Sequence, residues 1–448
     1  MMENNYRIEW TKMPWWLYGV LLVIFAYTIP FEFDLPLTLL DYSLWADPAT
    51  SLERMSRGNV KRQAALVVLS GMAIINFMRP GRKPFVVNGP LGWTILFYLC
   101  WVILSVTWAP DTIFTAKRVT TIILLWIGAL AFAERYSIEQ VFGLGFFISL
   151  ATVLIAIGNE LRLGTFDPLD ENWRLSGIIH AIQIGWNCGL LMLMSVGMAR
   201  HTGKWQGYLL KSIFLLAFVS LMLTKSRMAF VAAIVGLMVY AFYKVSNMAK
   251  VLGGLAVVVM ICLAILYKGD ELWVMLQEAS TMGRSGEALE MTGSFSGRTY
   301  LWLECIKDLA DNPIFGYGYN SFLGPQNLNR IADRVGWTPN SPHSAYVDTA
   351  VGLGVVGITA LLSYLFLAFK RARFLMKRND DYVLVLACLT WWVLNAFLEA
   401  DPITRAVFPN YFCLVLLAKM AFFNPEDRVR EERIREVDSG YQYSYTHL

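Results

Sequence analysis

Residues 221–237 read LMLTKSRMAFVAAIVGL, and this stretch decides the fold of the chain. Two apolar runs flank Lys225 and Arg227 with almost no loop between them, as in two membrane helices joined by a tight turn. Of the 448 residues, 56% are hydrophobic and 16% are charged. Soluble domains carry about 25% charged residues, so this composition excludes a cytosolic enzyme, a disordered protein and a disulfide-rich secreted domain. It predicts an all-α polytopic membrane protein, and the net charge of +4 is too small to indicate a nucleic-acid partner.

Twelve apolar stretches come close to the roughly 20 residues that a helix needs to cross the hydrocarbon layer. Apolar side chains occupy all sides of most of them, a pattern that disfavours the alternation of a β-barrel. The sequence therefore predicts about twelve transmembrane helices. Their approximate limits are 15–33, 63–78, 91–108, 118–134, 141–158, 178–199, 211–225, 228–243, 251–267, 346–369, 383–399 and 405–423.

Lys and Arg in short loops mark the cytoplasmic side of a membrane protein. With both termini on that side, its segments hold most of these residues, including the Arg-rich run RVREERIRE near the end of the chain. We therefore expect four regions. Residues 1–267 hold transmembrane helices 1–9, residues 268–345 form one large outward-facing loop with short helices, residues 346–423 hold transmembrane helices 10–12, and residues 424–448 form a cytoplasmic tail.

The large outward-facing loop contains one amphipathic stretch. Residues 298–311 predict a helix, with Trp302, Ile306 and Leu309 on one face. Arg298 then lies in its first turn, where a cation opposes the helix dipole. An anion at the same place would offset that cost, because free backbone N–H groups and a guanidinium bind phosphate together. A solvated loop arginine is the alternative.

The two cations of the opening stretch lie close to the hydrocarbon layer, where charge is costly. Insertion scales put the cost at about 2.5–3.5 kcal/mol at a helix centre, and it is smaller near the interface. Arg227 follows Ser226 at the start of a predicted helix, so an anion-binding role is favoured for it. Lys225 is explained equally well by a side chain that extends to the outer headgroups.

His343 lies where the tenth predicted transmembrane helix begins. Ser341 as N-cap and Pro342 at the first helical position predict that His343 lies in the first turn. The positive end of the helix favours neutral imidazole, which is the state that a general base requires. His180, near the outer end of the sixth predicted helix, is the other histidine on this side. For both residues, a polar side chain at the membrane interface is the alternative.

Three acidic residues, Asp348, Glu399 and Asp401, also lie near the outer ends of predicted helices. They pair with the arginines, orient His343, or are solvated. The glycines of GYGY at 316–319 predict either a plain turn or an anion-binding nest. The chain has no Walker loop, GxSxG or HExxH motif and no metal-ligand spacing, so we expect neither a metal nor a cofactor.

An ordered set of segments resembles the O-antigen ligase and polymerase superfamily. WRLSGIIHAIQIG at 173–185 resembles its Arg-x-x-Gly segment, and TKSRMAF at 224–230 resembles its Ser–Arg pair at the start of a span. The run from 296 to 357 resembles its Arg-x-x-x-Trp helix, its Asn–Pro turn with glycines, and its histidine entering a helix.

The resemblance implies a metal-independent, inverting, GT-C-like glycosyltransferase of the bacterial inner membrane, with its active site facing the periplasm. The donor would be a glycan linked to undecaprenyl diphosphate, and the acceptor lipid A-core or a growing glycan. The resemblance also implies that Arg227 and Arg298 hold the diphosphate and that His343 activates the acceptor hydroxyl. Arg174 is a further candidate for the same anion. The remaining substrate-binding candidates are Lys225, Asp348 and His180.

Within the superfamily, a ligase moves finished glycan to lipid A-core, whereas a polymerase extends the glycan by repeat units. The single dominant outer loop favours the ligase, and a protein O-oligosaccharyltransferase is a third option. From another class, twelve spans suit a transporter or lipid flippase. The sequence shows no inverted repeat, however, and its polar residues gather at one face instead of at the midplane where carriers bind substrate.

Overall fold

The computed structural model describes residues 60–78, 85–170, 173–199, 202–244, 298–324, 327–339, 341–399 and 406–423. Within these ranges the structure is all-helical, apart from turns and connecting segments, and contains no β-strand. The helices are α1 Val60–Phe77, α2 Gly89–Leu104, α3 Thr112–Arg135, α4 Ile138–Leu163, α5 Ala181–Met198, α6 Lys204–Leu223, α7 Arg227–Lys244, α8 Arg298–Asp311, α9 Leu328–Val335, α10 Ala345–Met376, α11 Tyr382–Leu398 and α12 Phe408–Phe422.

The apolar stretches of the sequence coincide with these helices wherever the structure describes them. Seven helices are long and apolar enough to cross a membrane: α2 with the short 3-10 turn that follows it, α3 to α7, and α10. The apolar helices α1, α11 and α12 are shorter. For the described residues, the prediction of an all-α chain with several helices able to span a membrane is confirmed. The predicted spans 15–33 and 251–267 and the tail 424–448 lie outside the described residues, so the count of twelve stays a prediction.

Successive helices alternate in direction, which collects their ends on two faces of the bundle. At one face, Lys244 at the end of α7 forms an ion pair with Asp380, just before α11. At the same face, Asn76 near the end of α1 donates a hydrogen bond to Glu134 near the end of α3 (2.9 Å). We call this the opposite face. It carries the described segments that the charge pattern assigns to the cytoplasm.

The other face gathers the ends that carry the candidate functional residues. The backbone N–H of Leu175, before α5, donates to the carbonyl of Leu223 at the end of α6 (2.9 Å). Arg298 at the start of α8 contacts Glu399, which directly follows α11. We call this the site face. It comprises residues 173–180, 223–227, 298–302, 341–345 and 398–399.

Helix α10 is broken one third of the way along its length. Gly354 has φ 67° and ψ −170°, a backbone conformation that interrupts the helical hydrogen bonds. The backbone groups on either side have other partners. The indole N–H of Trp101 donates to the carbonyl of Leu353 (3.0 Å), and the N–H of Val355 donates to the carbonyl of Pro313 (2.8 Å). Such a break is tolerated inside a membrane protein only when neighbours satisfy the freed groups.

The glycine-rich turn at 314–318 packs backbone to backbone against this break. A Cβ atom on Gly316 would lie 2.6 Å from the carbonyl carbon of Gly352, and one on Gly354 would lie 2.0 Å from the carbonyl oxygen of Ile314. The N–H of Tyr317 donates to the carbonyl of Val351 (2.9 Å). Close packing therefore explains the glycines of GYGY, which agrees with the interpretation of this segment as a plain turn.

Helix α8 has the limits that the sequence predicts, Arg298–Asp311. Its buried residues are Leu301, Cys305 and Asp308. On the predicted face, Trp302 packs on Phe397 and Leu309 packs against an apolar cluster, whereas Ile306 is 55% exposed. The polar Asp308 is buried because both of its carboxylate oxygens accept hydrogen bonds from Arg330 on α9 (2.6 and 2.8 Å).

Candidate functional site

His343 lies just before α10 and not in its first turn, so the predicted capping is wrong by three residues. The N-cap is Ser344, whose hydroxyl accepts from the N–H of Val347 (3.5 Å). The hydroxyl of Ser341 accepts from the N–H of His343 itself (3.3 Å) and forms a small turn. His343 has φ 52°, a left-handed conformation that few residues other than glycine adopt. Such strain persists where the surrounding structure enforces it.

Glu399 connects His343 to Arg298. One carboxylate oxygen of Glu399, Oε1, accepts from the Arg298 guanidinium (2.6 Å). The other, Oε2, lies 3.5 Å from Nδ1 of His343. Arg298 also donates to the carbonyl of Leu398 (2.6 Å), so it fixes the end of α11 at two points. All three ionisable side chains are mostly buried, with exposed fractions of 18% for Arg298, 10% for Glu399 and 20% for His343.

The carboxyl of Glu399 stays ionised in this setting. Burial alone would raise its pKa, but the charge of Arg298, the hydrogen bond and charge of His343 and the charge of His180 together lower the pKa to about 2. An ordinary glutamate has a pKa of about 4.3. Glu399 is therefore an anion throughout the physiological pH range, and His343 faces that anion.

Trp302, four residues after Arg298 on α8, holds the segment in front of His343. Its indole N–H donates to the carbonyl of Pro342 (2.8 Å). Its ring packs edge to face on Phe397, with centroids 5.8 Å apart. The Arg-x-x-x-Trp spacing thus puts two side chains of one helix on the end of α11 and on the segment of His343. The sequence indicated this motif but not what its tryptophan contacts.

The turn between α6 and α7 holds a second group of cations at the site face. Arg227 is the first residue of α7, as expected. The guanidinium Nε of Arg174 donates to the carbonyl of Thr224 (2.9 Å), so Arg174 lies at this turn. Lys225 has φ 49°, and its ammonium contacts the carbonyl of Asp170 (3.3 Å). Arg174 and Lys225 therefore both lie at the connection between α6 and α7, just before Arg227.

His180 is also at the site face. It is the N-cap of α5, and its Nδ1 accepts from the N–H of Ile182 (3.3 Å). Helix α5 packs closely on α7, because a Cβ on Gly185 would lie 3.2 Å from Ser226, directly before Arg227. His180 also contributes to the low pKa of Glu399. The site face therefore carries six of the seven candidates: the two groups and His180.

Asp348 is separate from Glu399. It is buried, 2% exposed, in the first turn of α10. It lines a small cavity whose lining does not include His343. The other lining residues are Phe114, Arg118, Asn320, Leu323, Ser341 and Pro342. Its substrate-binding role stays a prediction, and Asp401 lies outside the described residues. Among the described residues, no group of three or more His, Cys, Asp or Glu side chains could hold a metal ion.

In a comparison with family models, residues 212–362 match the family described as O-antigen ligase. The matched segment contains Arg227, Arg298 and His343, whereas Arg174, His180 and Glu399 lie outside it. No curated protein matches the chain. The family match confirms the resemblance seen in the sequence and, with the apolar helices, indicates a multi-pass membrane protein.

Proposed function

From the match of residues 212–362 to the O-antigen ligase family, which supports membership of the O-antigen ligase and polymerase superfamily, we propose a glycan transferase. The chain moves a glycan from an undecaprenyl-diphosphate carrier to an acceptor hydroxyl at the periplasmic face of the bacterial inner membrane. We put a ligase first, with lipid A-core as the acceptor. The observation that carries this proposal is the buried Arg298–Glu399–His343 group, on the same face as Arg227.

In this reaction His343 is the general base. Nε2 takes the proton of the acceptor hydroxyl while the hydroxyl oxygen bonds to the anomeric carbon of the donor sugar. The bond from that carbon to the diphosphate oxygen breaks, the electron pair leaves with undecaprenyl diphosphate, and the configuration at the anomeric carbon inverts. No metal takes part, because guanidinium groups stabilise the charge that develops on the leaving group.

Arg227 is the residue best placed to hold the diphosphate. It begins α7, where the free N–H groups of the first turn add to its guanidinium. Arg174 and Lys225 add positive charge at the same turn. Arg298 shares this role. Its hydrogen bonds to Leu398 and Glu399 use two of the five N–H donors of the guanidinium, which leaves others for an anion.

The test is gel analysis of surface polysaccharide in a deletion strain complemented with the wild-type chain or with His343→Ala. We expect the variant to insert into the membrane at wild-type amounts and to lose transfer by about 10²–10⁴-fold. Loss of lipid A-linked polymer with carrier-bound chains retained means a ligase, and single repeat units on the core mean a polymerase. Normal polysaccharide with His343→Ala would remove this residue from the mechanism.

A transporter or flippase is the candidate of another class. Deletion of such a protein would leave carrier-linked glycan on the cytoplasmic side, and its function would not depend on His343. Conversion of carrier-linked glycan to product by the detergent-solubilised chain, where no second compartment exists, would exclude transport as the activity measured.

A further inference from the structure

Glu399 lies outside the residues that match the family, yet its carboxylate contacts His343. We propose that Glu399 is a positioning residue. It accepts the Nδ1 proton of His343, selects the tautomer in which Nε2 is the base, and stabilises the imidazolium that forms when His343 takes the acceptor proton. Arg298 holds Glu399 in place for this. The inference rests on the proposed transferase function and deepens it.

The first step of the argument concerns which nitrogen carries the proton. An ionised carboxylate can only accept hydrogen bonds. Oε2 of Glu399 faces Nδ1 of His343 at 3.5 Å, so Nδ1 must be the donor. In neutral imidazole one nitrogen donates and the other accepts, which leaves Nε2 without a proton and able to take one. The distance is long for a hydrogen bond, as is common at catalytic sites before substrate binds.

The second step concerns rigidity. The carboxylate is fixed because Arg298 binds both Glu399 and the preceding carbonyl of Leu398. The backbone that carries the imidazole is fixed because Ser341 accepts from the N–H of His343 and Trp302 holds the carbonyl of Pro342. Glu399 and His343 are therefore both restrained by contacts with other residues, as a preorganised site requires.

The third step concerns energy. A buried ion pair is on average no more stabilising than well-packed apolar side chains of the same volume, since both charges lose their hydration. The Arg298–Glu399 pair is thus poorly explained as a device for stability alone. It is well explained if the anion is needed at His343, because an anion beside imidazole stabilises the imidazolium.

The experiment measures transfer in detergent-solubilised membranes of the deletion strain, which supply carrier-linked glycan and lipid A-core, from about pH 5 to about pH 9. The charged groups around Glu399 are Arg298 from α8, His343 before α10 and His180 at the start of α5. Glu399→Gln removes the anion, so we expect the rate per mole of folded protein to fall by about 10²-fold or more. The acid limb of the pH profile should move to lower pH, because the imidazolium loses a neighbouring opposite charge.

Two further variants make the result specific. Glu399→Asp keeps the charge on a shorter side chain, so we expect a rate between those of wild type and Glu399→Gln, and a smaller shift in the same direction. Glu304→Gln makes the same chemical change on α8, where the carboxylate pairs with Lys307 and Arg334, and should leave rate and midpoint unchanged.

A wild-type rate for Glu399→Gln would overturn the inference. So would an unmoved midpoint in both Glu399 variants at reduced rate, because that result describes a residue that only supports the fold. If Glu399→Gln yields no folded protein, the midpoint of Glu399→Asp decides. The proposed function fails separately, namely if His343→Ala transfers glycan normally.

Discussion

Two ion pairs of nearly equal length fix the two ends of the bundle. At the opposite face, Lys244 and Asp380 lie 2.5 Å apart, and the Asp380 side chain is 80% exposed. At the site face, Arg298 and Glu399 lie 2.6 Å apart, and the Glu399 side chain is 10% exposed. The first pair competes with water, whereas the second has lost most of its water. Distance alone therefore says little about what a pair does, and burial decides it.

Removing the cation from each pair should show the difference between the two ion pairs most clearly. Arg298→Ala leaves Glu399 buried without its main counter-charge, so we expect the free energy of unfolding to fall by about 3–5 kcal/mol. Lys244→Ala, the matched control, should cost less than about 1 kcal/mol. Thermal unfolding of the two purified variants in one detergent provides the measurement. Equal, small shifts would mean that the site-face pair is as solvated as the other.

The same comparison has a pH dependence. Because the pKa of Glu399 is lowered on folding to about 2, its contribution to stability is complete above the ordinary glutamate pKa of about 4.3. It is lost only as the pH falls toward 2. In Arg298→Ala burial is no longer offset by the guanidinium, so the buried carboxyl takes up its proton at a higher pH than in the wild type. The difference in unfolding temperature between wild type and Arg298→Ala should therefore be largest at high pH and narrow as the pH falls.

A smaller effect is expected from the glycine at which α10 breaks. Gly354→Ala puts a Cβ onto the backbone of Ile314 at a positive φ, so we expect a loss of about 1–3 kcal/mol. Gly143→Ala in α4 is the control, because a Cβ there has no atom within 4 Å. It should be neutral or slightly stabilising. Denaturant or thermal unfolding of both variants tests this, and a harmless Gly354→Ala would show that α10 can close into a continuous helix.

Of these substitutions, the one at Arg227 should affect the stability of the protein least. Arg227→Lys keeps the charge but loses the planar fork that binds two phosphate oxygens. Loss of one charge-assisted hydrogen bond of about 1.5–3 kcal/mol predicts a transfer rate lowered by about 10- to 100-fold, with unfolding temperature unchanged. The rate assay in solubilised membranes measures it, with Lys244→Arg at the opposite face as the control. A fully active Arg227→Lys would count against diphosphate binding by this residue.

The sequence predicts the helices well because the length of an apolar stretch and the residues that begin or end a helix are local properties of the sequence. The helix Arg298–Asp311 was located to the residue, since the following Pro313 prevents it from continuing. The burial of Asp308 in this helix could not be predicted, because its partner Arg330 belongs to another helix. The N-cap of α10 was misplaced because Ser341 and Ser344 both suit that position, and only the fold assigns their hydroxyls.

The candidate site was predictable as a set of residues but not as a set of contacts. Glu399 was left with three roles, since its partners Arg298 and His343 lie 101 and 56 residues away in sequence. No local pattern specifies such pairings. Likewise, the glycine at 354 is visible in the sequence, but the break in α10 depends on a turn about forty residues earlier that packs against it.

The break in α10 also bears on how the chain is assembled during synthesis. The carbonyl of Leu353 and the N–H of Val355 cannot enter lipid without partners, and these partners are Trp101 and Pro313. Both precede α10 in the chain, so the ribosome has already produced them when the broken helix emerges. The broken segment of α10 can therefore find both hydrogen-bond partners in chain that has already been synthesised.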